Sequence, residues 1–231
     1  MRFVDGLGES QYWEPSSGNG VAAMVIAMTD RTNEEQDLAL VEELVAGPAG
    51  ILLERIEATP EGPRPDFRIQ SWRGFAGFCE VKSPRDDWID EQLKQAPPMT
   101  VVGGARSDPT FNRIARNIEK AVRQFDAVNS HHRVPNVLVI VNHDCNSGFA
   151  DLCETLTGHF RADSGETYPT NMRIATRLGS KRKRVDLYCW IDDYRGRREV
   201  GGWLMTDAVP EHTSALRTLL VNVLPKKASA A

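Results

Sequence analysis

The sequence lacks the marks of a membrane or secreted protein. Its apolar run from Val21 to Met28 is far shorter than the roughly 20 residues that a membrane-spanning helix needs. Acidic rather than basic residues precede this run, namely Asp5, Glu9 and Glu14, so the run does not have the pattern of a secretory signal. We therefore expect a cytoplasmic protein.

Cysteine is scarce, and its spacing excludes the common paired metal motifs. The cysteines are Cys79, Cys145, Cys153 and Cys189. All but Cys145 lie in apolar or strand-like runs, which is typical of small core residues in a reducing compartment. The set His143, Cys145, Cys153 and His159 has the residue types of a zinc site but not the close pairing of known structural sites. We expect buried cysteines and surface histidines there.

Several enzyme signatures are also missing. The chain has no nucleophile elbow, no phosphate-binding P-loop and no dinucleotide fingerprint, and we find no internal repeat. Its net charge of -4 over 231 residues argues against a protein that coats nucleic acid non-specifically. A local basic face could still bind phosphates. The length is within reach of a single core, or of a core with a small extension.

The most informative segment runs from Pro65 to Lys82. Pro65-Asp66 is followed, after a turn pattern at Trp72-Arg73-Gly74, by Glu80-Val81-Lys82. Alternate residues of a strand share a face, so Glu80 and Lys82 project together. A hairpin register centred on Arg73 sets Asp66 directly opposite Glu80, with Cβ atoms about 4.5–5.5 Å apart. Two carboxylates this close repel, which raises the pKa of one unless a cation lies between them.

These residues resemble the motif of the PD-(D/E)xK nuclease superfamily, which has a restriction-endonuclease-like core. The match covers residues 34–144 and implies that Asp66 and Glu80 are metal ligands and that Lys82 is the catalytic lysine. With the backbone carbonyl of Val81 and waters, the carboxylates would form the oxygen shell that Mg²⁺ or Mn²⁺ prefers. The structural alternative for Lys82 is an ion pair with Asp66 or Glu80.

The same resemblance implies roles for two further positions. The family often adds an acidic residue from its first helix, and Glu42 or Glu43 matches that role. Some branches carry a glutamine on the helix after the third strand, and Gln124 matches it. A Glu pair on an exposed helical face is, however, usually only solvated.

The resemblance implies a metal-dependent nuclease that hydrolyses phosphodiester bonds, with DNA favoured over RNA and a role in defence or repair. The partner is then nucleic acid, and the oligomeric state stays open, although related nucleases often form homodimers. Two alternatives stand beside this interpretation. One is a non-catalytic nucleic-acid-binding or regulatory module on the same scaffold. The other is a small-molecule hydrolase of another fold, in which Glu80 and Lys82 merely pair on a surface strand.

The predicted fold class is α/β, with a central mixed sheet flanked by helices. The family's core order is helix, three antiparallel strands, helix, strand. Periodicity predicts helices over 34–46 and 111–128 and strands over 51–56 and 137–141. Later signals are weaker: helices over 149–156, 171–178 and 213–223, a strand over 185–191 that adds to the sheet, and a charged turn over 192–198. We divide the chain into an N-terminal arm (1–30), the core (31–145) and a C-terminal extension of the same domain (146–231).

Two basic groups could contact phosphates. Arg116 and Lys120 lie on the polar face of the helix over 111–128. Lys181, Arg182, Lys183 and Arg184 form a basic run before a strand, and such a run could grip phosphates or be a solvated turn. Residues 95–110 are rich in proline and glycine, and we expect them to form a flap over the site.

Overall fold

A computed structural model of the chain describes residues 2–5, 10–11, 33–57, 62–71, 76–84, 92, 95–97, 100, 110–144, 147–194, 197–205 and 209–221. The described helices are α1 (Asn33–Val41), α2 (Gly47–Ala49), α3 (Thr110–Val128), α4 (Phe149–Thr157), α5 (Met172–Leu178) and α6 (Pro210–Val221). A π-helical turn (Glu42–Ala46) joins α1 to α2, and a 3-10 turn (Gly179–Arg184) follows α5.

The described strands are β1 (Arg2–Asp5), β2 (Ser10–Gln11), β3 (Ile51–Arg55), β4 (Phe67–Ser71), β5 (Ala76–Lys82), β6 (Asn136–Asn142), β7 (His159–Arg161), β8 (Thr167–Pro169), β9 (Leu187–Tyr194) and β10 (Arg197–Leu204). Eight of them form one sheet in the order β2-β1-β10-β9-β6-β5-β4-β3, and β7 pairs with β8 separately. Within the large sheet, β3, β4 and β5 are antiparallel neighbours, whereas β5, β6 and β9 are parallel. The fold is therefore α/β with a mixed sheet, as predicted.

Helices cover both faces of the sheet. Every residue of β6 is buried, and successive side chains alternate between the two faces. Leu138 and Ile140 pack with Ile118 of α3 in one cluster, whereas Val139 packs with Leu38 of α1 in the other. A strand buried on both faces has a continuous apolar sequence, which is why β6 was predictable from sequence.

The hairpin register predicted from the sequence is confirmed. Phe67 pairs with Cys79 and Arg68 with Phe78, so the pairing is symmetric about position 73. The predicted order of helix, three antiparallel strands, helix and strand is also observed, and β9 joins the sheet as expected. The turn residues 72–75, most of the segment expected to be a flap and Cys145 lie outside the described residues.

The charged turn predicted over 192–198 is too wide: β9 pairs with β10 in antiparallel orientation, so the chain reverses between Tyr194 and Arg197. Strand β9 continues to Tyr194 and β10 starts at Arg197, with Asp192 paired to Glu199. The carboxylate of Asp192 accepts hydrogen bonds from the side chains of Asn142 and Trp190 at 2.8 and 2.7 Å, so a charged residue is accommodated at a strand end. Sequence reasoning missed β10 because glycine weakens a strand pattern. A Cβ atom on its Gly201 would lie 2.8 Å from the ring of Phe149.

None of the helices in the described part of the chain is long and apolar enough to cross a membrane.

The central position of β6 predicts an unequal response to two identical substitutions. Leu138 is fully buried, whereas Leu52 on β3 is 64% exposed. We expect Leu138→Ala to lower the free energy of unfolding by about 2–5 kcal/mol, because it leaves a cavity in the core. Leu52→Ala should change it by less than about 0.5 kcal/mol. Urea denaturation measures both values, and equal losses would contradict the burial of β6.

Candidate metal centre

The residue before β4 and the C-terminal part of β5 are joined by reciprocal hydrogen bonds. Asp66 lies in a bend directly before β4. Its Oδ2 atom accepts the backbone N–H of Val81 at 2.8 Å, and its own N–H donates to Oε2 of Glu80 at 3.1 Å. The two carboxylates are therefore adjacent and held by backbone groups on neighbouring strands, which is the arrangement that β-sheet alternation and the hairpin register dictate.

Lys82 and Gln124 complete the immediate surroundings of Glu80. The ammonium group of Lys82 donates to Oε1 of Glu80, whose side chain is fully buried. Gln124 of α3 donates from Nε2 to the carbonyl oxygen of Arg64 at 2.9 Å, and its side chain lines the same cleft as Glu80. The structure thus brings together four of the residues singled out in the sequence: Asp66, Glu80, Lys82 and Gln124.

Burial makes this carboxylate pair unstable as two anions. Desolvation, followed by repulsion from Asp66, raises the pKa of Glu80 to about 7, although Lys82 and Gln124 oppose the shift. Desolvation also raises the pKa of Asp66, and the charge of Glu34 adds to that rise, while the Val81 N–H and Lys82 lower it. A cation placed between the carboxylates would remove this repulsion.

The pair opens into a cleft of about 480 Å³ that both helical layers line. The lining residues are Glu34, Asp37, Leu38, Asp66, Glu80, Val81, Lys82, Ser83, Asn117 and Gln124. This set contains four carboxyl groups and one ammonium group. Such an excess of acidic oxygens suits a hard divalent cation far better than a free anion.

The acidic residues that α1 contributes to the cleft are Glu34 and Asp37, and the structure does not bring Glu42 or Glu43 to it. Glu34 and Asp37 are three residues apart, so they share one side of the helix. Glu42 is about 140° around the helix from Asp37 at 3.6 residues per turn. Both Glu42 and Glu43 are exposed, and Glu43 pairs with Arg198 at 3.5 Å.

Asp37 is held in the cleft by a polar network that the sequence did not reveal. It is 4% exposed. One of its oxygens contacts Nε2 of His143 at 2.7 Å, and the other accepts the hydroxyl of Ser83. The Nδ1 atom of His143 lies 3.2 Å from the carbonyl oxygen of Asp193. The available signal was the position of Asp37 within the apolar stripe of α1, three residues before Leu40.

The basic run predicted to contact phosphates is engaged within the fold. Lys181 pairs with Glu119 at 3.2 Å, Arg184 pairs with Asp126, and Arg182 donates to the carbonyl oxygen of Leu156. Lys183 lies in the same 3-10 turn. These contacts fasten the turn to α3 and α4. Arg116 and Lys120 are exposed on α3.

The histidines and cysteines of the spaced set over 143–159 have other surroundings. His143 contacts Asp37, and Nδ1 of His159 lies 3.0 Å from the carbonyl oxygen of Thr157. Cys153 packs against the core, and Cys79 and Cys189 are buried.

Comparisons with known proteins give only weak structural likeness. No protein-family model matches the sequence, and no curated protein matches it significantly. SfsA of Pyrococcus furiosus, solved in complex with Ca²⁺, is similar to this chain with a TM-score of 0.31 and 13% identity. The likeness covers 72% of this chain and 59% of SfsA, so the chain spans less than two thirds of that protein. Similarity at this level assigns no function to the chain.

The raised pKa of Glu80 predicts how stability depends on pH in the presence of a chelator. In the unfolded chain its pKa returns to near 4.5, whereas in the fold it is about 7. Between these values the unfolded chain binds fewer protons, so the free energy of unfolding should fall as pH rises. The Glu80→Gln variant should lack this contribution.

Urea denaturation at pH 5, 6, 7 and 8 measures the effect as the difference between wild type and variant. The free energy of unfolding of the variant minus that of the wild type should increase with pH up to about pH 7 and stay constant above it. Glu43→Gln, on an exposed helical face, is the matched control and should follow the wild type. A difference between Glu80→Gln and wild type that does not change with pH would contradict the shifted pKa.

Proposed function

We propose that the protein is a divalent-metal-dependent nuclease that hydrolyses phosphodiester bonds, with DNA as the first substrate to test. One observation carries the proposal: Asp66, Glu80 and Lys82 adjoin one another in the lining of a cleft to which α1 adds further carboxylates. Neighbouring carboxylates and an amine are the groups needed to hold a hard cation beside a phosphate.

The donor set fits Mg²⁺ or Mn²⁺. Both ions prefer carboxylate, carbonyl and water oxygens. Burial and neighbouring negative charge raise the pKa of Asp66 and of Glu80, so a cation bound between the two carboxylates would stabilise their ionised forms. Asp66 and Glu80 would hold the ion, with the Val81 carbonyl and Asp37 or Glu34 as further oxygen donors. When bound, such an ion polarises the phosphate and lowers the pKa of water.

Lys82 would act on the substrate directly, and other residues of the cleft would position the side chains around it. The ammonium of Lys82 is anchored by Glu80 and 18% exposed, so it can neutralise charge that develops on a phosphate oxygen in the transition state. Gln124, which is held by the carbonyl oxygen of Arg64, lines the cleft from the α3 side. His143 and Ser83 hold the Asp37 carboxylate in one orientation, which limits the motion of a metal-binding oxygen.

A basic stripe on α3 supports approach of a nucleic-acid backbone from that side. Arg116, Lys120 and Arg123 are exposed and follow one another at helical spacing, so they lie along one side of the helix. Asn117 and Gln124 line the cleft from the neighbouring side. Phosphates bound along the stripe would therefore pass close to the cleft. Lys181 and Arg184 pair with Glu119 and Asp126, so less of their charge is available to a phosphate.

A cleavage assay tests the proposal. The protein should cut single- or double-stranded DNA with Mg²⁺ or Mn²⁺ and not with a chelator. Asp66→Asn, Glu80→Gln and Lys82→Met should each lower the rate by roughly 100-fold or more, since each removes a group that acts in the transition state. Comparing the cleavage rates of DNA and of RNA of the same length shows which nucleic acid is the substrate. Cleavage that survives all three substitutions would overturn the assigned site, and tight DNA binding without cleavage under any condition would favour a non-catalytic module.

The cleavage assay also decides which acidic pair near α1 acts in the cleft, Glu34 and Asp37 or Glu42 and Glu43. Asp37→Asn should lower the cleavage rate, because Asp37 is buried in the cleft. Glu43→Gln is the matched control, since Glu43 is exposed and pairs with Arg198. Loss of activity in Glu43→Gln but not in Asp37→Asn would place the helix-derived ligand where the family motif suggested it.

The affinity for Mn²⁺ should depend on pH through Glu80. A cation must displace the proton from this carboxyl group, whose pKa is about 7. Below that value the affinity should rise about tenfold per pH unit, and above it the affinity should level off. Calorimetric titration with Mn²⁺ from pH 5.5 to 8.5 measures the slope. An affinity that is constant over this range would show that Glu80 is not a ligand.

A further inference from the structure

Three side chains from separate parts of the chain converge where the parallel strands begin. His132 follows α3, Asp186 precedes β9, and His212 lies on α6. Nε2 of His132 is 2.7 Å from one oxygen of Asp186, and Nδ1 of His212 is 3.1 Å from the other. The two imidazole rings meet edge to face, with centroids 5.0 Å apart. The candidate donor atoms of the three residues all lie within 4.8 Å of one another.

The group is buried and its frame is rigid. The side chains of His132, Asp186 and His212 are 9%, 1% and 7% exposed. Asp186 also accepts the backbone N–H of Asn136 at 2.8 Å, so its carboxylate is fixed to the start of β6. His132 has a φ of +50°, a backbone conformation that non-glycine residues seldom adopt. Its N–H donates to the carbonyl oxygen of Asn129 at 2.8 Å, which holds the ring toward Asp186.

We propose that His132, Asp186 and His212 form a zinc site, separate from the cleft. Two imidazole nitrogens and a carboxylate are borderline donors that suit Zn²⁺, and three protein ligands leave a fourth position for water. Ligand atoms around a tetrahedral zinc ion lie about 3.3 Å apart, given bonds of about 2.0–2.1 Å. The contacts of 2.7 and 3.1 Å would lengthen by a few tenths of an ångström on binding, and the widest donor separation in the group, at most 4.8 Å, would close toward about 3.3 Å.

Two neutral imidazoles can accept the cation without losing a proton. A neutral imidazole carries one proton, which can reside on either ring nitrogen. Moving that proton to the outward nitrogen frees the lone pair that faces Asp186. The cation then occupies the place of the N–H···O hydrogen bonds, and the buried carboxylate keeps an opposite charge beside it.

The two sites differ in chemistry and position. The cleft offers carboxylates at the end where β5 finishes, near Lys82 and Ser83. The histidine group lies at the other end of the parallel strands, since Asp186 pairs with Asn136 at the start of β6. Its burial indicates a structural ion that fastens α6 and the loop after α3 to the sheet. This inference does not rest on the proposed nuclease activity.

Zinc content of the full chain tests the site. The background should be the double variant Asp66→Asn, Glu80→Gln, which removes the two principal ligands proposed for the cleft. After chelation and reloading with ZnSO₄, mass spectrometry should find about one zinc ion per chain, and the Tm should rise with zinc because the ion binds only the folded state. His132→Ala, His212→Gln and Asp186→Asn should each lose the zinc and the rise in Tm.

His131→Ala is the matched control, because His131 is exposed and adjacent to His132; it should keep both. Substitution by Co²⁺ in the same background should give the visible absorption of a four-coordinate ion. If the background protein, with all three residues intact, takes up no zinc and its Tm does not change with zinc, the three residues form only a hydrogen-bonded network. That result would overturn the proposal. Zinc uptake that survives the three ligand substitutions would overturn it equally.

Discussion

The geometry of the cleft depends on the reciprocal hydrogen bonds between Asp66 and the segment Glu80-Val81. Hydrogen bonds to a charged group contribute about 1.5–3 kcal/mol each, and here they also fix the pairing of β4 with β5. A shift of one residue in that pairing would turn Glu80 and Lys82 to the opposite face of the sheet. The same contacts hold the two carboxylates together against their repulsion. The hydrogen bonds that set the register of the hairpin therefore also determine the electrostatics of the cleft.

The parts of this arrangement that follow a fixed period were predictable from sequence. Side chains alternate strictly along a strand, so the shared face of Glu80 and Lys82 and the opposition of Asp66 followed from spacing alone. The contribution of the first helix was harder. Its acidic residues include Glu34, Asp37, Glu42 and Glu43, and the choice among them depends on which side of α1 packs on the sheet. The structure turns Leu38 and Val41 toward the core, which carries Asp37 to the cleft and leaves Glu43 exposed.

Groups that assemble from distant segments left no pattern to detect. His132, Asp186 and His212 are each ordinary in their local sequence, and only the packing of α6 and the start of β9 brings them together. The contact of His143 with Asp37 joins residues that are 106 positions apart, and no local sequence pattern predicts it either. Strand β10 was missed for another reason, because Gly201 and Gly202 lower the β-propensity of a segment whose place in the sheet is set by pairing with β9.

The charge of the cleft sets an order of events for the proposed reaction. Four carboxyl groups and one ammonium group line the cleft, so without a cation it would repel a phosphate. The exposed Arg116, Lys120 and Arg123 on α3 have the opposite sign and can attract a nucleic-acid backbone from a distance. Attraction along α3 and repulsion within the cleft together hold a bound strand beside the site. In the proposed reaction a strand would enter the cleft only after a cation had neutralised Asp66 and Glu80, so substrate entry would be coupled to metal binding.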